Sequence, residues 1–264
     1  MTSLVSRLRL DGKTALVAGG GSGIGRATCH ALAELGGNVF CADINDANAS
    51  ALAREIASTG GRCEALHLDI TKKESVRAGV EGICKKAGRI DVLVTTPAVN
   101  VRKRLLEYTE EEFDKVIGLN LKGSFLLVKE VGGEMSKSGG GSIVVLSSIR
   151  SLVVEPGQGV YAMTKAGLVQ MVRGFAAELA AKGVRVNAVA PGVVDTPLTA
   201  PIKANKNWYD AYSRRNALAR WGREEEIAAP IVFLGSEASS YITGTVLFVD
   251  GGWTAIGGRF EPPL

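Results

Sequence analysis

The chain has 264 residues, 46% hydrophobic and 22% charged, enough apolar mass for one large core. A formal charge of +4 is small for that length and gives no clustered basic face, so no nucleic-acid partner is expected. No apolar run approaches the ~20 residues of a membrane span. Arg7, Arg9 and Asp11 interrupt the N-terminal stretch where a signal peptide needs an apolar core. A cytoplasmic protein with no membrane partner is the expectation.

In chain order, apolar runs at 14–18, 39–42, 65–68, 92–94, 143–146, 184–190 and 246–249 read as strands, with helical periodicity between them. Ile143-Val144-Val145-Leu146 is continuously apolar, as a strand buried on both faces must be. This alternation predicts an α/β fold: a doubly wound parallel sheet of about seven strands with helices on both faces. With no linker or repeat, one domain over 1–264 is expected. The segment 196–222 breaks the rhythm and carries Trp208, Tyr209 and Tyr212. An insertion after a strand's C-terminal end is where substrate contacts belong, so a lid is expected there. Its aromatics could equally be packing anchors.

Cys29, Cys41, Cys63 and Cys84 show no Cys-x-x-Cys spacing, and only His30 and His67 could join them. Buried free thiols, no disulfide and no metal are expected.

The first strand runs into Gly19-Gly20-Gly21-Ser22-Gly23-Ile24-Gly25 and then a helix. Gly19, Gly23 and Gly25 allow a tight turn whose helix N-terminal amides face a pyrophosphate. Ordinary strand-to-helix loops also collect glycines, and an aspartate after a strand can simply cap a helix. Asp43 decides between these readings. It ends the second strand, near the ~20-residue offset of a ribose-binding acid. Its carboxylate would accept the ribose hydroxyls and repel a 2′-phosphate. No basic residue stands at Ser22 or Ile44, although Arg26 is not far away. NAD is expected over NADP.

Tyr161 and Lys165 share one face of a helix by their i, i+4 spacing. A free phenol titrates near 10, and a neighbouring ammonium lowers that by roughly 1–3. The phenol then becomes a workable acid or base for an alcohol proton. Such pairs also arise by chance. Here Ser148 ends the fifth strand, and Asn120 stands in Asn-Leu-Lys-Gly. With Asp69-Ile70, Pro191-Gly192 followed by Thr196, and Asp250-Gly251-Gly252, the motifs occur in order. Across essentially its whole length the chain resembles the short-chain dehydrogenase/reductase family.

The resemblance implies a Rossmann-like NAD(P)-binding domain and roles for matched positions. Tyr161 would be the acid/base, and Ser148 would hydrogen-bond the reacting oxygen. Lys165 would hold the nicotinamide ribose and depress the tyrosine pKa. Asn120 would position a water, and Asp69 with Ile70 would contact the adenine. Pro191, Gly192, Val194 and Thr196 would border the nicotinamide. It also implies a homotetramer, with the Tyr161 helix and the terminal strand region in interfaces. The tail 253–264 could fray or reach a neighbour. Two departures stand out. Thr95-Thr96-Pro97-Ala98 replaces the family's Asn-Asn-Ala-Gly; Pro97 lacks an N–H and Ala98 resists positive φ. Ala18 replaces a common threonine.

Basic residues recur near the expected pocket mouth: Arg102, Lys103, Arg104 and Arg150, with Lys203, Lys206, Arg214 and Arg215 in the lid. Guanidinium groups suit carboxylates. Segments 100–103 and 148–151 also resemble gluconate-type sugar-acid dehydrogenases. The expected substrate is a secondary alcohol or ketone, contacted by Ser148, Arg150 and Tyr161, with a sugar acid or polyol as candidates. A solvated basic surface, a cyclic alcohol and a 3-oxoacyl thioester stay open. A non-catalytic dinucleotide-binding module would lose the tyrosine or its lysine, and both remain.

Overall fold

The computed structural model describes residues 3–257, so the last residues of the tail, and any interface role for them, lie outside the described residues. After a short helix α1 (Leu4–Leu8), strands and helices alternate in the order β1 (Thr14–Ala18), α2 (Gly23–Glu34), β2 (Asn38–Asp43), α3 (Asp46–Ser58), β3 (Arg62–His67), α4 (Lys73–Ala87) and β4 (Val92–Thr95). The second half runs α5 (Glu110–Ile117), α6 (Ser124–Lys137), β5 (Gly141–Leu146), α7 (Gly159–Leu179), β6 (Val184–Pro191), α8 (Ala200–Lys203), α9 (Lys206–Arg215), α10 (Glu224–Gly235) and β7 (Val246–Val249). Seven parallel strands form one sheet in the order β3-β2-β1-β4-β5-β6-β7, the expected doubly wound architecture.

Alternation along each strand divides the core between the two faces. Leu16, Phe40, Leu93, Ile143 and Val186 point to one side, against Val80 and Ile83 of α4, Leu127 and Val131 of α6, and Leu168 and Val172 of α7. Val17, Val39, Val94, Val144 and Val189 point to the other, against Leu32 of α2, Leu52 and Ile56 of α3, and Ile227 and Ile231 of α10. A one-residue slip would exchange the two sets, so the register is strongly specified.

The strand that departs most from the sequence reading lies at the sheet edge. β3 occupies Arg62–His67 rather than 65–68, because an edge strand pairs only with β2 and tolerates Arg62 and Glu64 among its residues. The same edge leaves Cys63 half-buried, as Cys84 is on α4, so only Cys29 and Cys41 are the buried thiols expected.

Candidate active site

The sheet's topology reverses between β1 and β4, and a cleft of about 690 Å³ opens beyond their C-terminal ends. Its floor is the glycine turn. Gly19 has φ +73°, and a Cβ there would lie 2.5 Å from the Thr96 Oγ1. A Cβ on Gly25 would lie 2.1 Å from the Gly19 carbonyl oxygen, so no larger residue fits where helix meets turn. Ser22, the N-cap of α2, makes no side-chain capping bond, which leaves the first amides of the helix directed at the cleft.

Asp43 ends β2 beside this turn. Its Oδ2 accepts from the Gly21 N–H at 2.9 Å and its Oδ1 from the Asn45 N–H at 2.9 Å, so the carboxylate is fixed by backbone at the cleft wall. Arg26, the nearest basic candidate for a phosphate clamp, is committed to Glu55. Farther along, Asp69 Oδ1 accepts from Thr71 N–H at 2.9 Å and Thr71 Oγ1 at 2.6 Å, and these bonds hold its carboxyl below the usual range. Ile70 and Thr196 also line the cleft.

Three of the expected cofactor residues are not among those that line this cleft. Pro191 closes β6 against β7. Gly192 packs on Asp250, where a Cβ would meet the Asp250 Cα at 2.8 Å. Val194 is buried in the core and bridged to Gly222. The pairing of β6 with β7 turns this segment inward, and the chain re-enters the cleft only at Thr196, followed by Pro197 and Leu198, which the sequence reading missed.

The Tyr161 side chain is 8% exposed on the first turn of α7, and Lys165 one turn on is 1% exposed. Lys165 Nζ donates to the Leu146 carbonyl at 2.8 Å and lies 5.4 Å from the Tyr161 ring centroid. Burial pushes the ammonium down to about 7 and the phenol up to about 12. The groups drawing the phenol back are the Ser148 hydroxyl and then the guanidinium groups of Arg102 and Arg150, whereas the sequence assigned that task to Lys165. A neutral-leaning, buried lysine is a poor source of field at the phenol. Ser148 Oγ accepts from the Arg150 backbone N–H at 3.1 Å, which leaves its own proton free to donate. Ser147 is excluded from that role, because its hydroxyl donates to the Lys165 carbonyl at 2.9 Å.

Asn120 lies in a π-helical turn, Gly118–Gly123, between α5 and α6. Its amide is fully buried: Oδ1 accepts from Val99 N–H at 2.8 Å, while Nδ2 donates to Val99 O at 2.9 Å and Thr164 Oγ1 at 3.2 Å. The side chain thus fastens the segment after β4. That segment bears Pro97 and Ala98, and both line the cleft. Thr96 replaces the fastening that Ala18 lacks, donating from Oγ1 to the Ala18 carbonyl at 2.9 Å.

The segment expected to be a lid carries α8 and α9, and its aromatics are anchors. Tyr212, Trp221 and Trp253 are buried with Ile149 and Ile202, and Tyr209 stacks on Trp221 at 4.9 Å. Arg150 is 7% exposed and is ion-paired with Glu155, with its guanidinium 5.5 Å from the Trp253 ring centroid. Glu155 therefore occupies the cation that the sequence reserved for a substrate. Nothing in the sequence signals Glu155, which stands in an irregular loop with no motif around it.

Comparison with known proteins agrees with this geometry. Residues 18–254 match the family model described as enoyl-(acyl carrier protein) reductase. The 3-oxoacyl-[acyl-carrier-protein] reductase FabG of Thermotoga maritima is 41% identical, covering 93% of this chain and 99% of its own. D-threitol dehydrogenase of Mycolicibacterium smegmatis is 36% identical, covering 93% and 94%. Among solved structures, a gluconate 5-dehydrogenase from Burkholderia cenocepacia, in complex with NADP and tartrate, superposes with a TM-score of 0.93 at 31% identity, covering 96% and 100%.

Proposed function

From the premise that this chain belongs to the short-chain dehydrogenase/reductase family and is an NAD(P)-dependent oxidoreductase acting on CH–OH groups, we propose that it interconverts a secondary alcohol and a ketone on a small hydroxylated acid, with NAD preferred. The observation that carries the substrate class is Arg102. Lys103 and Arg150 are each paired with a carboxylate, whereas Arg102 has none among the described residues. Its Nε is buried without a hydrogen-bond partner, and its charge reaches Tyr161. A half-buried guanidinium that has no carboxylate partner among the described residues, held near the Trp208 ring and felt by the proton-transfer group, suits an anion. The gluconate 5-dehydrogenase neighbour, held with tartrate, supports the same class.

A bound nicotinamide supplies the hydride or accepts it. The chain's own residues manage the oxygen. Tyr161 carries its proton at neutral pH and delivers it to the carbonyl oxygen during reduction. Ser148, oriented by the Arg150 amide, donates to the same oxygen. Lys165 keeps one N–H beyond its bond to Leu146 as a neutral amine and two as an ammonium, so in either form it can donate to a ribose hydroxyl. Asn120 acts by positioning the Val99 segment rather than by offering its amide to water. The fixed carboxylate of Asp43, with Arg26 committed to Glu55, supports NAD. A homotetramer is part of this reading: Phe125 on α6 is 42% exposed, beside Leu121, Met171 and Phe175 in an apolar groove.

The test is absorbance at 340 nm with NAD and NADP supplied separately, against D-gluconate, D-threitol, simple secondary alcohols and a 3-oxoacyl thioester. NAD-dependent turnover of the acid, lowered by Arg102→Ala, is expected. Turnover of the thioester alone would replace this reading with the acyl-reductase one.

A further inference from the structure

One acidic side chain from outside the cleft reaches the glycine turn that forms its floor. Gly23 opens α2 in the left-handed region, at φ +56°, and lines the cleft. Space is left where its side chain would stand: a Cβ there would lie 3.7 Å from Glu224 Oε1, 3.7 Å from Pro197 Cδ and 3.8 Å from Thr196 Cβ. Pro197 and Thr196 also line the cleft, so the carboxylate shares this gap with two of its wall residues. It stands beside the first amides of α2, the ones that Ser22 leaves uncapped and that suit a pyrophosphate.

Glu224 is the first residue of α10, which packs along α2, and the charged groups around it leave it uncompensated. On α2, Arg26 is committed to Glu55. On the loop after β6, Asp195 adds a like charge and is itself paired with Lys203. On α10, Glu225 is exposed beside it and Glu226 is held by Arg220. Glu224 is half-buried and belongs to none of the ion pairs among the described residues. Burial first, then the charge of Glu225 and last that of Asp195 push its carboxyl above the ordinary range, against the pull of Arg26. A helix N-terminus favours a nearby anion. Here two anions would draw on the same end, the resident carboxylate and the phosphates of a bound dinucleotide, and like charges oppose each other.

We propose that Glu224 is an electrostatic brake on cofactor binding: its carboxylate, set against the pyrophosphate turn, opposes the phosphates and hastens release of the dinucleotide. The brake lifts when the carboxyl takes up a proton, so its effect fades as pH falls through the Glu224 titration. The inference rests on the dinucleotide site alone and is independent of the substrate class and of the choice between NAD and NADP.

The test is calorimetric binding of ADP-ribose, which carries the pyrophosphate and tolerates acid, to wild type and to Glu224→Gln. At about pH 8 and low salt the variant should bind about 3–30-fold more tightly, the range for removing one partly solvated like charge. Stopped-flow displacement of NADH at the same pH should show the gain as a slower off-rate. The ratio between the two proteins should narrow as pH is lowered from about 8 to about 5. It should narrow again in about 0.5 M NaCl, because ions screen a partly exposed charge. Glu225→Gln removes the same charge one residue away, at an exposed position, and should change the affinity less than about twofold. A thermal melt reports whether each variant is folded. Equal gains in the two variants would reduce the effect to net charge and overturn the proposal. So would a Glu224→Gln affinity that is unchanged or weaker, or a gain that ignores pH and salt. ADP-ribose that binds none of these proteins would instead remove the dinucleotide site, and this inference with it.

Discussion

The side-chain amide of Asn120 grips the backbone of Val99 at both its N–H and its carbonyl, at 2.8 and 2.9 Å. One buried side chain thereby fixes the loop that separates the cofactor cleft from Tyr161. Asn120→Ala leaves both groups of Val99 unpaired in the interior. It should cost about 2–6 kcal/mol of stability on the scale of ~1–3 per stranded group and weaken NADH binding about tenfold or more. Urea denaturation and fluorescence titration measure the two. Stability lost without any change in NADH affinity would show that the loop does not shape the cleft.

Tyr161→Phe removes the only proton carrier assigned to the reacting oxygen. The rate should fall by about 10²–10⁴ in kcat, while the NADH dissociation constant stays within a few-fold. Because burial pushes the phenol up to about 12, the protonated form prevails at neutral pH. Reduction should therefore hold steady from pH 6 to 9, while oxidation, which needs the phenolate, should quicken as pH rises. A pH-rate series in both directions checks this, and a falling oxidation rate over that range would contradict it.

Lys165 offers a stability readout of the same burial. Its ammonium is pushed from an ordinary value of 10.5 down to about 7, so between those values the unfolded chain binds more protons than the native one. Stability then rises with pH across that window, and below it the lysine opposes folding. Tyr161 works in the opposite sense: its contribution is complete below about 10 and is lost as pH climbs through about 12. Lys165→Met should flatten the rise between pH 7 and 10. Chemical denaturation of both proteins at several pH values gives the comparison, and parallel curves would mean that Lys165 stays charged in the fold.

Asp43→Asn keeps one acceptor for the Gly21 N–H but removes the charge that repels a 2′-phosphate. The ratio of kcat/KM for NAD over NADP should fall by about 10–100-fold, the range of one or two hydrogen bonds to a charged group. An unmoved ratio would place cofactor choice elsewhere on the cleft wall.

The parts of this architecture that the sequence discloses are those carried by short-range rules. Apolar runs place β1 and β7 to the residue: β1 is buried throughout, as a central strand must be, and β7 is a half-buried edge strand whose run is bounded by Thr245 and Asp250. Glycine spacing, Asp43 and the Tyr161–Lys165 pair are legible because each motif is local. Partnership across long separations is not. The ion pair that occupies Arg150 depends on a loop carboxylate with no motif, and a hydrogen-bond chain from Glu155 to Asn100 joins residues up to 112 positions apart through Tyr212. Arg102 and Arg150 look equivalent as letters. Only packing reveals which of them has been neutralised. Burial reverses the sign of the pKa argument in the same way, since spacing shows that a lysine is near a tyrosine but not that both are desolvated.

The departure at 95–98 changes how the glycine turn is tied to the end of β4. Ala18 offers no hydroxyl to tie the end of β1 to the end of β4. Thr96 reaches across instead, its Oγ1 at 2.9 Å from the Ala18 carbonyl and 3.2 Å from that of Gly19. That oxygen also sits where a Gly19 Cβ would be, at 2.5 Å, so it sets both the height and the curvature of the glycine turn. Thr96→Val preserves the shape and deletes the donor, leaving the Ala18 carbonyl its bond from the Thr96 N–H at 3.1 Å. The stability cost should therefore be small, about 0.5–1.5 kcal/mol for one hydrogen bond. The loss in NADH affinity should be larger than that, about 30–100-fold or ~2–3 kcal/mol, because the pyrophosphate amides depend on the turn's pose. Calorimetric binding of NADH beside a thermal melt separates the two. An affinity loss no greater than the stability loss would reduce Thr96 to an ordinary packing residue.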